Sequence, residues 1–181
     1  MTKLILLIGI PGSGKSTLAQ QIVAENRGHL LISTDAIRGK LFGDESIQGP
    51  WVLIWHELQQ QFQQAVGAIS PAPASMAIYD ATNASRSHRI EAVSLARDTG
   101  FTYITGLWLN TPVWLCLHYN RHRRRQVPDD VILRMHRQLR DAPPCIADGL
   151  DRLIRIAPGE ISTEIAIAQV RKNRTRPSLQ L

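Results

Sequence analysis

Five short apolar runs recur along the chain, and each is followed by a helical pattern or by the C-terminal segment. Each run ends at polar or turn-forming residues, as the strands of a buried sheet do. The predicted strands are Leu4 to Ile8, His29 to Ile32, Met76 to Tyr79, Thr102 to Leu109 and Arg152 to Ile156. Strands that alternate with helices pair in parallel, with helices on both faces of the sheet. The pattern therefore predicts an α/β fold.

Helix signals fill the segments between these strands. Residues that favour helix starts occur at Ser33, Ser85, Pro112 and Pro128. The longest helix is predicted from about Trp51 to Ile69, because its apolar residues recur at the spacing of one helical face. We expect that face to pack in the core, and it consists of Trp51, Ile54, Leu58, Phe62, Ala65 and Ile69.

Length and composition favour a single domain spanning residues 1–181, because 181 residues with 44% apolar content suffice for one core. The two cysteines, Cys116 and Cys145, have no metal-binding spacing and form no disulfide framework, so a reducing compartment is expected. No apolar segment is long enough to span a bilayer. These features predict a soluble cytoplasmic protein with no membrane partner.

The net charge of +6 is concentrated in the C-terminal part of the chain. From His118 onward there are thirteen Lys or Arg and seven Asp or Glu, a difference of 13 − 7 = +6, and the preceding residues balance. Four of these arginines, Arg121, Arg123, Arg124 and Arg125, lie within one short stretch. Such a run is typical of a solvated basic helix end, or of a surface that binds phosphate or nucleic acid.

The sequence GIPGSGKST at residues 9–17 is a complete GxxxxGK[ST] motif between the first strand and a helical pattern. Glycines let such a loop bend tightly and turn its N–H groups toward phosphate oxygens. In this setting the lysine meets the β- and γ-phosphates and the following hydroxyl binds Mg²⁺. The predicted nucleotide-binding residues are Gly9, Pro11, Gly12, Ser13, Gly14, Lys15, Ser16 and Thr17, with Ser16 as a metal ligand.

Charged residues also follow the second and third strands, where ligands bind in open parallel sheets. Asp35 and Arg38 are three residues apart and share one helical face, so Asp35 could accept a hydroxyl proton while Arg38 holds an anionic substrate. Alternatively, Asp35 caps the helix and pairs with Arg38. Asp80 ends the third strand, where P-loop proteins position a carboxylate for Mg²⁺, although a lone aspartate also caps turns.

The arginine run lies between a helix predicted from Val113 to Tyr119 and another that Pro128 opens. A basic segment in this position can close over a nucleotide and exclude water. We therefore predict a lid over about residues 119–128. The tail over about residues 172–181 is expected to fray.

Five motifs, GIPGSGKST, STDAIR, YDATN, NRHRRRQVPDDVI and GLDRLIRI, occur in this order. In order and spacing the chain resembles the kinase domain of phage-type polynucleotide kinases and their small P-loop kinase relatives, over nearly its whole length. The resemblance implies a P-loop NTPase three-layer α/β/α sandwich with a five-stranded parallel sheet of nucleoside-kinase type and a short arginine-rich lid. Nothing in this sequence corresponds to the phosphatase domain of the phage enzyme.

The resemblance also implies roles for individual residues and cofactors. In that family the residue matching Asp35 is the general base for the 5′-hydroxyl, and the one matching Arg38 contacts the substrate phosphate. A lid arginine contacts the donor phosphates, with Arg123 as the first choice here and Arg125 as the second. ATP and Mg²⁺ are the implied cofactors.

Three functions are consistent with the sequence. The leading hypothesis is an ATP- and Mg²⁺-dependent kinase that phosphorylates a hydroxyl, with a polynucleotide 5′-hydroxyl as one candidate acceptor. A second is a small-molecule kinase for a nucleoside, sugar or other metabolite, in which the segment from Leu41 to Trp55 roofs a closed pocket. A third is a nucleotide-binding switch or nucleic-acid-binding module without turnover, which needs neither Asp35 nor Arg38.

Overall fold

A five-stranded, fully parallel sheet forms the centre of the structure, a computed structural model that describes residues 1–72, 74–123, 125–156 and 168. The spatial order of the strands is β2-β3-β1-β4-β5, and every neighbouring pair is parallel. The predicted α/β class and five-stranded parallel sheet are therefore confirmed. The strands are β1 (Lys3–Ile8), β2 (Leu30–Ser33), β3 (Ala77–Asp80), β4 (Tyr103–Leu109) and β5 (Arg152–Ile156).

Six α-helices connect or follow these strands within the described residues. They are α1 (Lys15–Glu25), α2 (Thr34–Phe42), α3 (Trp51–Ile69), α4 (Arg86–Thr99), α5 (Val113–Arg121) and α6 (Asp129–Asp141), and a 3₁₀ turn (Ile146–Asp148) precedes β5. In the part of the chain described here, none of the helices combines the length and the apolar character that crossing a membrane requires.

Successive residues of β1 contribute to two separate apolar clusters. Leu4, Leu6 and Ile8 belong to one cluster, whereas Ile5 and Leu7 belong to the other. Because side chains alternate across a strand, these clusters lie on opposite faces of the sheet. The sheet is thus buried on both sides, which accounts for strands that read as continuous apolar runs.

The helices divide between the two faces. Residues of α1 complete one cluster, and residues of α3, α4, α5 and α6 complete the other, so the domain has three layers. Phe62 of α3 makes edge-to-face contacts with Tyr79 and Phe101, at centroid distances of 5.4 and 5.5 Å. Five of the six residues predicted for the buried face of α3 are buried, and they are Ile54, Leu58, Phe62, Ala65 and Ile69.

The sixth residue of that predicted face, Trp51, is not buried, and 44% of it is exposed. The 19 residues of α3 span about 28 Å, which exceeds the length of the four-residue strand β3 that follows it. Trp51 is the first residue of α3 and lies beyond the part of the helix that the sheet covers.

The predicted lid boundaries also differ slightly from the structure. Helix α5 continues to Arg121 rather than ending at Tyr119, so the connection to α6 comprises residues 122–128. The tail over about residues 172–181 lies outside the described residues.

The carboxyl edge of the sheet brings several helix starts together. Helices α1, α2 and α4 begin just after β1, β2 and β3, respectively. Helix α3 ends shortly before the amino end of β3, so its start also lies toward the carboxyl edge. Ligands bind at this edge in open parallel sheets, and the predicted site residues follow its strands.

Candidate active site

The loop between β1 and α1 has a backbone shape that suits an anion. Gly12 and Gly14 have φ angles of 82° and 95°, in the left-handed region that favours glycine. A Cβ atom at Gly12 would also collide with the carbonyl oxygen of Cys116. Gly14 caps α1 without a side-chain hydrogen bond, which leaves the first N–H groups of the helix for a ligand.

Lys15 lies buried at the centre of this loop. Its ammonium donates hydrogen bonds to the carbonyl oxygen of Ile10 (2.9 Å) and to the hydroxyl of Ser13 (3.4 Å). Burial lowers the pKa of Lys15 from 10.5 to about 8, and the nearby Asp80 carboxylate opposes this shift. Phosphate oxygens in the loop could replace these neutral partners and favour the charged ammonium.

Distant residues hold the loop in place, and sequence reasoning missed them as site residues. The Thr111 hydroxyl donates to the Ser13 carbonyl (3.1 Å), and the Asn83 side-chain amide donates to the Leu7 carbonyl (2.7 Å). The Gly9 N–H donates to the carbonyl oxygen of Thr82 (3.0 Å). Their positions in the sequence could have indicated this role, because Thr111 and Asn83 each follow a strand that neighbours β1.

Asp35 lies in the first turn of α2 with an arginine at each carboxylate oxygen. Arg38 Nη1 lies 2.8 Å from Oδ1, and Arg125 Nη1 of the lid lies 3.1 Å from Oδ2. The Ser33 hydroxyl accepts from the Ala36 N–H and caps the helix, so Asp35 is not the helix cap. Its pairing with Arg38 was predicted, whereas its contact with the lid was not.

One donor of Arg38 has no partner. The Nε atom is buried and makes no hydrogen bond to the described part of the chain. Buried donors are almost always satisfied in folded proteins, by protein groups, by water or by a ligand. The Nε–H group of Arg38 is therefore a donor without a partner next to the Asp35 pair, within the part of the chain that the structure describes.

The two candidate lid arginines differ in their surroundings. Arg125 pairs with Asp35 (3.1 Å), and its charge also contributes to lowering the pKa of Asp44, after the hydrogen bonds from Ser46 that dominate that shift. Arg123 is exposed, and its charge adds to the lowering of the Lys15 pKa that burial causes. Arg125 thus contacts the α2 side of the site.

Asn120 connects the two ends of the predicted lid, and no local sequence pattern indicates this role. Its buried side chain donates to the Val127 carbonyl (2.7 Å) and accepts from the Val127 N–H (3.0 Å). Arg121 also pairs with Asp129 across the two ends of the connection, at 3.2 Å. These contacts tie the two ends of the connection between α5 and α6 to each other.

The sequence matches the family model AAA_33, described as an AAA domain, over residues 4–142. The chain belongs to this family. Together with the glycine-rich loop and the five-stranded parallel sheet, the match identifies a P-loop kinase-like nucleotide-binding domain. No curated protein matches the chain significantly.

Solved structures with different activities share the fold of this AAA domain. Kti12 of Chaetomium thermophilum, solved with ADP-AlF₃, has a TM-score of 0.67 at 17% identity, covering 96% of this chain and 100% of that one. A sugar kinase from Janibacter has a TM-score of 0.61 at 18% identity, with coverages of 94% and 92%. A chain of the Pnkp1/Rnl/Hen1 RNA repair complex has a TM-score of 0.57 at 23% identity, with coverages of 77% and 44%. At these identities the likeness shows the fold alone, and this chain spans less than half of the RNA repair chain.

Ser16 and Asp80 are the predicted magnesium ligands of this AAA domain. Asp80 is buried at the carboxyl end of β3, and Ser16 is exposed in the first turn of α1. Within the described ranges, no three His, Cys, Asp or Glu residues cluster closely enough to hold a metal ion. Mg²⁺ in kinase sites takes few protein ligands and completes its shell with phosphates and water, so this donor set fits.

The affinity for ATP is expected to fall as the pH rises above about 8, where free Lys15 loses its proton. Bound phosphate favours the protonated ammonium, so binding in this range takes up a proton and weakens about tenfold per pH unit. Calorimetric titrations with ATP over about pH 7 to 10 measure this dependence. Lys15→Arg is the control, because a guanidinium keeps its charge throughout the range. A flat wild-type profile would contradict a role of the Lys15 charge in binding.

Proposed function

We propose that this domain transfers the γ-phosphoryl group of ATP to a hydroxyl acceptor, with Asp35 as the general base. The observation that carries the proposal is the Asp35 carboxylate at the carboxyl edge, held by Arg38 at 2.8 Å and by Arg125 at 3.1 Å. A nucleotide switch has no need of a carboxylate held between two arginines beside its phosphate loop.

The donor half of the site is the phosphate loop with its helix start. Backbone N–H groups of Gly12, Gly14, Lys15, Ser16 and Thr17 would surround the phosphates. The N–H groups of Gly9 and Ser13 already donate to the carbonyl oxygens of Thr82 (3.0 Å) and Ile10 (3.2 Å), and Pro11 has no N–H, so these residues shape the loop. The Lys15 ammonium would neutralise charge that develops on the transferred group, and Arg123 would add to it from the lid. Mg²⁺ bound with ATP would supply further charge neutralisation, held by Ser16 and Asp80.

The acceptor half centres on Asp35. A carboxylate oxygen has more than one lone pair, so a hydroxyl can donate to Asp35 while Arg38 keeps its contact. Arg125 either shares the carboxylate or withdraws as the acceptor enters. Asp35 then takes the hydroxyl proton as the oxygen attacks the γ-phosphorus, the bond from that phosphorus to the β,γ-bridging oxygen breaks, and ADP leaves. Arg38 keeps the carboxylate aligned throughout.

For the acceptor, we infer the 5′-hydroxyl of a polynucleotide. The guanidinium group of Arg38, whose side chain keeps 14% exposure beside Asp35, suits a phosphate of the acceptor strand, because guanidinium groups match phosphate geometry. The exposure of Trp51 argues against the segment from Leu41 to Trp55 as a closed roof over a small metabolite. An RNA repair complex and a sugar kinase share this fold, so the test includes both classes of acceptor.

The experiment incubates the protein with γ-labelled ATP, Mg²⁺ and one acceptor at a time, taken from 5′-hydroxyl oligonucleotides, nucleosides and sugars. We expect label on the oligonucleotides and none on oligonucleotides that already carry a 5′-phosphate. Label on a nucleoside or sugar alone would replace the polynucleotide acceptor with a metabolite. ATP binding without transfer to any acceptor would support a switch and reject the kinase.

Affinity for a 5′-hydroxyl oligonucleotide is expected to fall steeply with salt. Each phosphate contact releases counterions, which gives a log–log slope of about −0.7 per contact for single strands. The excess of basic residues from His118 onward motivates this expectation. The measurement is the apparent affinity of the protein for the oligonucleotide at increasing salt concentrations. The affinity for ATP alone is measured under the same conditions, so that the salt dependence caused by the charge of ATP can be subtracted. No difference between the two slopes would contradict a polyanionic acceptor.

A further inference from the structure

Three rings, those of Trp51, Trp55 and His88, form a continuous surface that we call the aromatic platform. Trp51 stacks on His88 with a centroid distance of 6.2 Å and an interplanar angle of 23°. Trp51 also contacts Trp55 at 5.9 Å, with the two rings tilted by 41°. Trp51 remains 44% exposed, and His88 is also exposed. The platform therefore presents aromatic surface to solvent, and contacts between its rings hold them in position.

The platform lies at the carboxyl edge of the sheet, as Asp35 does. Trp51 begins α3, and His88 lies in the first turn of α4, which follows β3. Lys40 of α2 pairs with Glu57 of α3 at 2.6 Å, which links the helix that carries Asp35 to the helix that carries two of the platform rings. An acceptor that enters at Asp35 can thus extend along α2 toward the platform.

Arg86 lies two residues before His88 and supplies a positive charge at the start of α4. Arg86 begins α4, donates from Nε to Asp148 at 3.0 Å, and keeps 51% of its side chain exposed. The buried Arg89 also donates to Asp148, at 2.7 Å, so two guanidinium groups share one carboxylate and leave a net positive charge. Arg86 is held in place before any ligand arrives, which reduces the entropy lost on binding.

The helix starts add to this charge. Neither α3 nor α4 has an acidic residue in its first turn, so the positive ends of both helix dipoles are uncompensated there. Exposed aromatic rings bordered by arginine and by helix N-termini match a ligand that alternates flat apolar rings with negative charges. A single-stranded nucleic acid has this composition.

We propose that the aromatic platform stacks bases of a single-stranded nucleic acid whose 5′ end lies at Asp35, while Arg86 contacts its backbone phosphate. This inference rests on the proposed polynucleotide acceptor and extends it to nucleotides beyond the reacting one. Base stacking is tolerant of sequence, so the platform favours longer strands over mononucleosides without selecting a base.

The test compares Trp51→Ala with Trp114→Ala, because Trp114 is an exposed tryptophan (68%) on α5, outside the platform. Binding is measured by fluorescence anisotropy with a labelled 5′-hydroxyl oligodeoxynucleotide and with an abasic strand of equal length. We expect Trp51→Ala to weaken binding of the normal strand about tenfold and Trp114→Ala to leave it unchanged. Trp51→Phe should retain most of the affinity, and it keeps the test valid if the alanine variant unfolds.

The abasic strand separates stacking from phosphate contact. It should bind the wild-type protein about tenfold more weakly than the normal strand, and Trp51→Ala should weaken it no further. ATP affinity should be the same in all variants. Equal binding by wild type and Trp51→Ala would overturn the platform and leave the proposed kinase intact. If wild type binds no strand but phosphorylates a metabolite, both the platform and the polynucleotide acceptor are overturned.

Discussion

Replacing Asp35 with asparagine is expected to lower the turnover of phosphoryl transfer about a hundredfold or more, with little change in ATP affinity. Asparagine keeps the size of the side chain but cannot take the proton of the attacking hydroxyl. ATP binding should persist, because Asp35 follows β2 whereas the phosphate loop follows β1, with β3 between these strands.

Turnover is measured in a steady-state assay with the acceptor that becomes labelled in the experiment with γ-labelled ATP. ATP affinity is measured by calorimetric titration. Asp44→Asn is the matched control, because Asp44 is an exposed acid that also experiences the charge of Arg125. We expect this control to retain wild-type turnover. A parallel loss of ATP affinity in Asp35→Asn would instead assign Asp35 a structural or metal-binding role.

The sheet could be predicted from the sequence because each of its faces is covered. A strand buried on both sides must be apolar at successive positions, and β1 has this pattern from Leu4 to Ile8. The predicted strands agree with the observed ones within one residue at each end. Trp51 was placed wrongly in the core, because periodicity identifies a helical face but not how far the sheet extends along it.

The local parts of the candidate site were also predictable. Glycine spacing indicates the phosphate loop, and the three-residue separation of Asp35 and Arg38 indicates a shared helical face, at which they pair at 2.8 Å. The family match confirms the P-loop kinase-like fold on which these predictions depend. The catalytic roles themselves stay predictions until the variants are measured.

Contacts between distant segments were not predictable from one sequence. The hydrogen bond of Thr111 to Ser13, 98 residues apart, depends on which strands become neighbours. The hydrogen bond of Asn120 to Val127 depends on how the connection between α5 and α6 folds back. The arginine run is a further example, because four similar residues give no local reason to prefer one. Among the arginines of this run that the structure describes, Arg125 is distinguished by its ion pair with Asp35.

Replacing Lys15 with alanine is expected to reduce phosphoryl transfer about a thousandfold, without loss of the fold. The ammonium is the buried positive charge of the loop, held by the Ile10 carbonyl at 2.9 Å. Glycine geometry and the helix start would still bind phosphate, so ATP affinity should fall less than turnover. Single-turnover transfer from γ-labelled ATP measures the loss, and a wild-type rate would contradict the assignment of this loop as the donor site.

The uncharged variant Lys15→Met should also be at least as stable as the wild-type protein in the absence of nucleotide. Burial lowers the pKa of Lys15 to about 8, below the value of 10.5 expected in the unfolded chain. Between these values the unfolded chain binds more protons, so wild-type stability rises with pH there, and the charged lysine opposes folding at neutral pH. Lys15→Met, which fills the space without charge, should therefore unfold at the same or a higher temperature by calorimetry. A lower unfolding temperature for Lys15→Met would mean that the ammonium stabilises the nucleotide-free loop. The loss of phosphoryl transfer in Lys15→Ala could then no longer be attributed to transition-state charge alone.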